Sequence, residues 1–456
     1  MASLREARDA FGEWVDRVAL ESPARLTLGA FALTILIFTG LLSLPWATTE
    51  GHRAPFIDAL FTATSAVCVT GLTTVDTGTF WSPLGLAIIG LGIKAGGLGI
   101  MTLASLAGLA VSRRLGLTQR ILAAGESRAS GLGDLASLLR TVIVVSTTVE
   151  LVIAAILIPR FLTLDYGWPK SLGYSLFYGV SAFNNAGFSP DPVGLYPYAG
   201  DLWMLVPIAM GVFIGALGYP VYLNLLRERN PRKWSLHTKL TLVTVTVLAF
   251  ISASFLAVFE WTNPDTLGDH SSGKTIGNIF FQSINQRSGG FASFDIGLAR
   301  EQTWLLEDVL MFVGGGSGST AGGIRVTTLA VLVLAAWAEA RGRRDIEAFG
   351  KRIGTEVLRV AVSITLMGLM VVIIATGIFM WQTDIALDRA LYEVVSAYAT
   401  CGLSTGITGS IDGDAKMTLI ITMYLGRVGS LTLASALMLN RQRRVIRYPS
   451  ERPIIG

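Results

Sequence analysis

Cysteine and histidine are scarce: two of the first and three of the second in 456 residues. Cys68 and Cys401 are too few for a disulfide framework and form no CxxC pair. Neither they nor the scattered His52, His237 and His270 suggest a metal centre. Charge is scarce too, 15% of residues against 52% hydrophobic, with a mean hydropathy of +0.57. That leaves too little polar surface to coat two or three soluble domains, so the solvent for most of this chain is lipid. The opening stretch, MASLREARDAFGEWVDRV, is charged and amphipathic and lacks the short apolar core of a cleavable signal. It reads as a cytoplasmic interfacial helix.

Long uncharged runs are what the chain has in abundance. Leu26 to Trp46, Leu202 to Leu226, Leu240 to Phe259 and Val360 to Gln382 each reach about the 20 residues that cross a bilayer. Pro83 to Ser112 and Thr141 to Pro159 carry one ionisable residue each, Lys94 and Glu150, and two more runs follow Glu307 and Lys416. The expectation is about eight spanning helices. Basic residues cluster at Arg113 and Arg114, Arg227 to Lys233, Arg341 to Arg352 and Arg441 to Arg447. By the positive-inside rule these segments and both termini face the cytoplasm, and each pair of spans forms a hairpin that starts and ends inside. The net charge of +4 then reflects topology and contact with anionic membrane lipid, and nucleic acid is not an expected partner.

Between the two spans of every hairpin lies a segment too short to cross. The four are ALFTATSAVCVTGL (Ala59 to Leu72), SLFYGVSAFNNAGF (Ser175 to Phe188), NIFFQSINQRSGGF (Asn278 to Phe291) and ALYEVVSAYATCGL (Ala390 to Leu403). They align without a gap and place Gly71, Gly187, Gly290 and Gly402 in register. A second word follows each, expected within the descending helix: GGLGIMTLAS from Gly96, GALGYPVYLN from Gly215, GGIRVTTLAV from Gly322 and GRVGSLTLAS from Gly426. Close helix packing accounts well for this second word. The expected fold is therefore all-α and membrane-integral: span, short helix, turn and span, written four times around a central axis. The boundaries read as an arm at 1–24, repeats at 25–114, 138–230, 236–342 and 355–441, and a cytoplasmic tail at 442–456.

Lipid cannot satisfy irregular backbone, so such segments must be buried or line a watery path. Four of them converging on one axis would present a ring of carbonyl oxygens, an ion filter. The carboxyl ends of the short helices, such as Phe56 to Val67, would point at that axis and favour a cation.

The stretches TGLTTVDTG, SAFNNAGFS, GSTAGGIRVTT, SLHTKL and GRVGSLT together resemble the membrane subunit of the Ktr/Trk/HKT superfamily of potassium transporters, over nearly the whole chain. Because the first hairpin follows directly on a short arm, the chain is more similar to the Ktr branch than to the longer Trk branch. The resemblance implies potassium uptake across the cytoplasmic membrane through one pore per subunit. The coordinating set would be Val69, Thr70 and Gly71; Asn185, Ala186 and Gly187; Ser288, Gly289 and Gly290; Thr400, Cys401 and Gly402. Glycine at all four filter positions goes with potassium in the family, whereas serine at the first goes with sodium in some plant relatives. A sodium or mixed sodium/potassium member is the alternative. The resemblance also implies a homodimer on a cytoplasmic ring of nucleotide-binding RCK subunits. No cofactor or nucleotide site is expected in this chain itself, and a sodium activator is compatible with it.

The run VGGGSGSTAGG, Val313 to Gly323, is no phosphate loop, since no lysine follows at the required spacing. The interval from filter glycine to second-word glycine is 25, 28 and 24 residues in repeats one, two and four but 32 in repeat three, so the extra residues fall in this run. The resemblance implies a gate made of Gly314, Gly315, Gly316, Ser317, Gly318, Ser319, Thr320, Gly322 and Gly323, with Arg427 facing the pore as an electrostatic barrier. The other readings are a static kink for the loop and, for Arg427, an ion pair with Glu393 or Glu150. Asp76 and Asp295, each five residues past a filter glycine, either draw cations to the mouth or cap loops. Lys94 is better read as a partner of Glu150 than as a charge in the pore. A secondary transporter of inverted halves and a membrane enzyme fit less well, because the four copies are parallel and no acid, base or metal cluster stands out.

Overall fold

The computed structural model describes residues 23–113 and 132–429. The interfacial arm, Arg114, the basic cluster after Arg441 and the tail lie outside these residues. The order is α1 (Pro23–Leu42), α2 (Phe56–Val67), α3 (Pro83–Arg113), α4 (Leu132–Thr163), α5 (Trp168–Asn184), α6 (Leu202–Leu217) and α7 (Tyr219–Arg227). There follow α8 (Leu236–Glu260), α9 (Ser272–Asn285), α10 (Glu301–Phe312), α11 (Val326–Ala340), α12 (Thr355–Gln382), α13 (Leu387–Ala399) and α14 (Gly413–Tyr424), continued by a π-helical turn, Leu425–Gly429. The fold is all-α apart from one hairpin, β1 (Ile346–Ala348) against β2 (Lys351–Ile353), with Ile346 opposite Ile353. Its two-residue turn, Phe349-Gly350, has positive φ at both positions (49° and 73°), the geometry that matches the twist of the flanking strands.

The pattern of long helix, short helix, turn and second helix occurs four times. Among the described residues three helices are long and apolar enough to cross a membrane, Arg140–Thr163, Leu236–Glu260 and Thr355–Gln382, or four if a bent pair counts as one. That pair corrects the reading of Leu202 to Leu226 as one straight span. α6 and α7 meet at 91° around Gly218, whose φ of +90° no helix can continue, and Pro220 stands two residues on, in the first turn of α7. The second half of repeat three is also interrupted, where α10 stops at Phe312, while in repeat four α14 runs on into the π-helical turn.

Large apolar side chains on the outer helices face outward, Phe250 at 75% and Trp381 at 87% exposure, as lipid-facing residues do. The buried apolar residues gather between repeats. Val69, Ala186 and Phe188 join repeats one and two, Phe281 and Phe291 pack with Tyr178 and Ile208 between two and three, and Val67, Phe294 and Tyr398 share the cluster that links one, three and four.

Candidate ion pathway

Three of the four short helices end in the same way. At the ends of α2, α5 and α13 the residue two before the filter glycine is left-handed: Val69 (φ 56°), Asn185 (57°) and Thr400 (46°). Its N–H bonds three residues back, and the next N–H reaches five back, Thr70 to Ser65 O (2.7 Å), Ala186 to Ser181 O (2.8 Å) and Cys401 to Ser396 O (2.9 Å). This is a Schellman cap, ordinarily built on glycine. A β-branched valine in that conformation is strained, and the surrounding packing must hold it there. Repeat three departs: Ser288 keeps a negative φ, and Ser288 N and Gly289 N both return to Asn285 O (3.2 and 2.6 Å).

All four filter glycines have positive φ, 98° at Gly71, 70° at Gly187, 72° at Gly290 and 100° at Gly402. Glycine is needed here for a second reason. A methyl placed on Gly71 would meet the Ala186 carbonyl and lie 3.1 Å from Gly187 Cα; on Gly187 it would lie 2.8 Å from Gly290 Cα. On Gly290 it would strike the Cys401 carbonyl, and on Gly402 the Thr70 carbonyl, 3.0 Å from Gly71 Cα. The four turns therefore meet in cyclic order, one to two to three to four and back to one, with backbone against backbone. Above them opens a cavity of about 490 Å³ lined by all four glycines together with Thr74, Asp76, Ser189, Asp295 and Ser404. Asp76 and Asp295 line this mouth, and both also act as caps: Asp76 accepts from Thr79 N (2.8 Å) and Asp295 from Gly297 N (2.9 Å).

A serine six residues before the glycine escaped the sequence reading. Ser65 Oγ accepts from Gly71 N (3.0 Å), Ser396 Oγ accepts from Gly402 N (3.0 Å), and Ser181 Oγ donates to Phe188 O (2.8 Å). The signal was present as a Ser-Ala pair at the same place in three of the four segments, with Ile284 in the third.

Below the glycines the second word performs its packing role in three repeats. A Cβ on Gly96 would run into Val67 O, on Gly215 into Phe183 O and on Gly426 into Tyr398 O, each the carbonyl four residues before that repeat's filter glycine. In repeat three the expectation of a helical word fails. Gly322 lies in non-helical chain, and its Cβ would meet Ala399 O and Thr400 Oγ1 of repeat four instead.

That non-helical chain runs from Val313 to Arg325, two residues beyond the predicted run, and closes on itself through Ile324 N to Phe312 O and Val326 N to Gly315 O (both 3.0 Å). It docks on the break between α6 and α7: Gly316 N donates to Ala216 O (2.8 Å) and Tyr219 N to Gly318 O (3.3 Å). Thr320 is its inward contact. The Asn185 amide, oriented so that its nitrogen donates to Val212 O (3.0 Å), accepts from Thr320 Oγ1 (2.7 Å). The same hydroxyl lies 3.2 Å from Gly215 O and 3.3 Å from Phe183 O.

Arg427, 1% exposed, donates from Nη1 to Thr320 O and so also contacts the loop at this residue. It pairs with neither acid suggested for it. Glu150 is held by Lys94, 2.7 Å from both carboxylate oxygens, and by Asn184 Nδ2 (3.0 Å), which also settles Lys94 as a paired lysine. Glu393 is held by Ser404, Thr405 and Thr408. Among the described residues no group of His, Cys, Asp and Glu is arranged to hold a metal ion.

The model of the TrkH family, described as cation transport protein, matches residues 31–444. The chain belongs to the TrkH family. It is a membrane cation transport protein and not an enzyme. The chain is 35% identical over 439 residues to Ktr system potassium uptake protein B of Bacillus subtilis, covering 96% of this chain and 98% of that one. It is 32% identical to the potassium/sodium uptake protein NtpJ of Enterococcus hirae, covering 95% and 97%. Among solved structures the potassium transporter TrkH from Vibrio parahaemolyticus superposes with a TM-score of 0.68 at 16% identity, over 91% of this chain and 85% of that one, a likeness of fold.

Proposed function

We propose that this chain takes up potassium across the cytoplasmic membrane through the turns at Gly71, Gly187, Gly290 and Gly402. The supporting observation is the closed contact of these four glycine turns, backbone to backbone, beneath an open mouth. Positive φ at Val69 and Gly71 on either side of Thr70, which is not in the positive-φ region, allows successive carbonyls to share one side, and main-chain oxygens facing a common axis replace an ion's hydration shell. The coordinating residues are those expected from the sequence: Val69 and Thr70, Asn185 and Ala186, Ser288 and Gly289, Thr400 and Cys401, with the four glycines.

The segment from Gly314 to Gly323 is the gate, with Arg427 its inner contact. Its position between the carboxyl ends of α5 and α13 supports that role, as does its docking through hydrogen bonds rather than packed side chains. The repeats follow the boundaries 25–114, 138–230, 236–342 and 355–441, and both termini are cytoplasmic. The working assembly is a homodimer on an RCK-type regulatory ring, with nucleotide acting only through that partner. The second reading, transport of sodium as well as potassium, draws on the similarity to NtpJ, a potassium/sodium uptake protein.

The test is growth of a potassium-uptake-deficient bacterium at low external potassium. The unaltered chain should support growth and Gly71→Asp should not, because the new side chain would enter the Ala186 carbonyl. Growth with both would sink the filter assignment.

A further inference from the structure

The segments that lead outward from the four filter glycines are tethered differently. In repeat one, Asp58 of α2 accepts from Thr74 Oγ1 (2.8 Å) and also pairs with Lys416 (2.8 Å). In repeat two the carboxylate sits on the outward segment itself, where Asp191 accepts from Tyr178 and Tyr166 (both 2.8 Å). In repeat three no carboxylate of the short helix reaches the outward segment. Glu307 instead joins α9 to α13 through Gln282 (2.8 Å) and Tyr392 (2.5 Å).

Repeat four is the case of greatest consequence. Glu393 on α13 is fully buried, and its donors come from one short stretch just past Gly402: Ser404 Oγ (2.6 Å), Thr405 N (2.9 Å), Thr405 Oγ1 (3.2 Å) and Thr408 Oγ1 (2.6 Å). Among the described residues none of the ion pairs involves it. A buried carboxylate is costly unless its oxygens are fully hydrogen-bonded, and hydrogen bonds to a charged acceptor are the strong ones. Here those bonds clamp residues 404–408 to the helix that carries the turn, two residues from the filter glycine, and among the described residues no cationic side chain pairs with the carboxylate.

The geometry points to Glu393 as a positioning residue for cation preference: it fixes the outer edge of the fourth filter turn and supplies an uncompensated charge there. This inference rests on the potassium reading of the filter. It makes the ring chemically unequal, since the comparable carboxylate in repeat one is already neutralised by Lys416.

The test uses the detergent-purified full chain, measuring thermal stabilisation as potassium or sodium replaces choline at constant ionic strength. Stabilisation by a ligand reports its affinity for the folded state. Glu393→Gln keeps the shape and removes the charge. It should raise the potassium concentration for half-maximal stabilisation about tenfold, the factor of one hydrogen bond to a charged group, and reduce the potassium-over-sodium preference. Glu307→Gln is the control, an equally buried carboxylate that touches no outward segment, and should lower the melting temperature while leaving half-saturation unchanged.

No change with Glu393→Gln overturns the inference, as does an equal shift with both variants. If Glu393→Gln gives no folded protein, Ser404→Ala and Thr408→Val each remove one donor and should move half-saturation the same way. Wild-type half-saturation in both would overturn the inference just as surely. Failure of potassium to stabilise the unaltered chain would count against the potassium reading itself.

Discussion

Lys94 carries a charge halfway along a helix where lipid or the pore would be its neighbour, and replacing it separates two accounts of the protein. Lys94 Nζ is 2.7 Å from Glu150 and 2.8 Å from Ser146 Oγ, with side-chain exposures of 22% and 7% for lysine and glutamate. Removing one member of a buried ion pair costs about 3–5 kcal/mol, because the other charge is left without compensation. The partly open lysine and the remaining Asn184 donor place Lys94→Met near the lower end, about 3 kcal/mol. Adding Glu150→Gln removes the stranded charge, so the double variant should recover most of that loss and give a coupling of about 2 kcal/mol in a double-mutant cycle. Equilibrium unfolding in detergent measures the cycle, and potassium uptake measured alongside should keep its half-saturation within about twofold in all variants. If Lys94→Met is as stable as the parent and transports with altered affinity, the ammonium belongs to the pore and the pairing argument fails.

Two further outcomes follow from the same geometry. Gly96→Ala drives a methyl into the Val67 carbonyl and should cost at least about 1–3 kcal/mol. Gly377→Ala, with nothing within 4 Å, should be neutral or stabilising by up to about 1 kcal/mol, and thermal melts of the pair check the contrast. Thr320→Val removes the hydroxyl that meets Asn185, Gly215 O and Phe183 O, and rubidium flux into proteoliposomes should rise without any nucleotide-binding partner present. Unchanged flux would mean that the loop does not depend on this contact to stay closed.

The architecture was readable where the same physical demand is made four times. Each short helix must stop a few residues before a glycine that meets its neighbour's backbone, so repetition in the sequence maps directly onto a shared axis. The Lys94–Glu150 pair was readable because lipid leaves a lone lysine few alternatives. What escaped depends on single events. Gly218 is hidden in an unbroken apolar run, and only the following Tyr-Pro hints that the helix turns. Gly322 aligns with Gly96, Gly215 and Gly426, yet the inserted residues carry it to the neighbouring repeat's helix. The acids suggested for Arg427 were already committed, Glu150 to a lysine and Glu393 to three hydroxyls and an amide, and separation along the chain says nothing of such commitments. The strap on Glu393 uses common residues within one loop, and nothing in their order distinguishes it from an ordinary polar turn.

The right-angle break at Gly218 bears on the proposed gate. A helix that stops inside a membrane leaves carbonyl groups that its own turns cannot use, and here one of them, Ala216 O, is taken up by Gly316 of the loop, while Tyr219 N is returned to Gly318 O. Withdrawing the loop strips hydrogen bonds from both elements together, at a depth where hydrocarbon offers no substitute. Only water can take their place. In the proposed gate the loop therefore leaves its seat only when water can enter, so that opening and wetting would be one event.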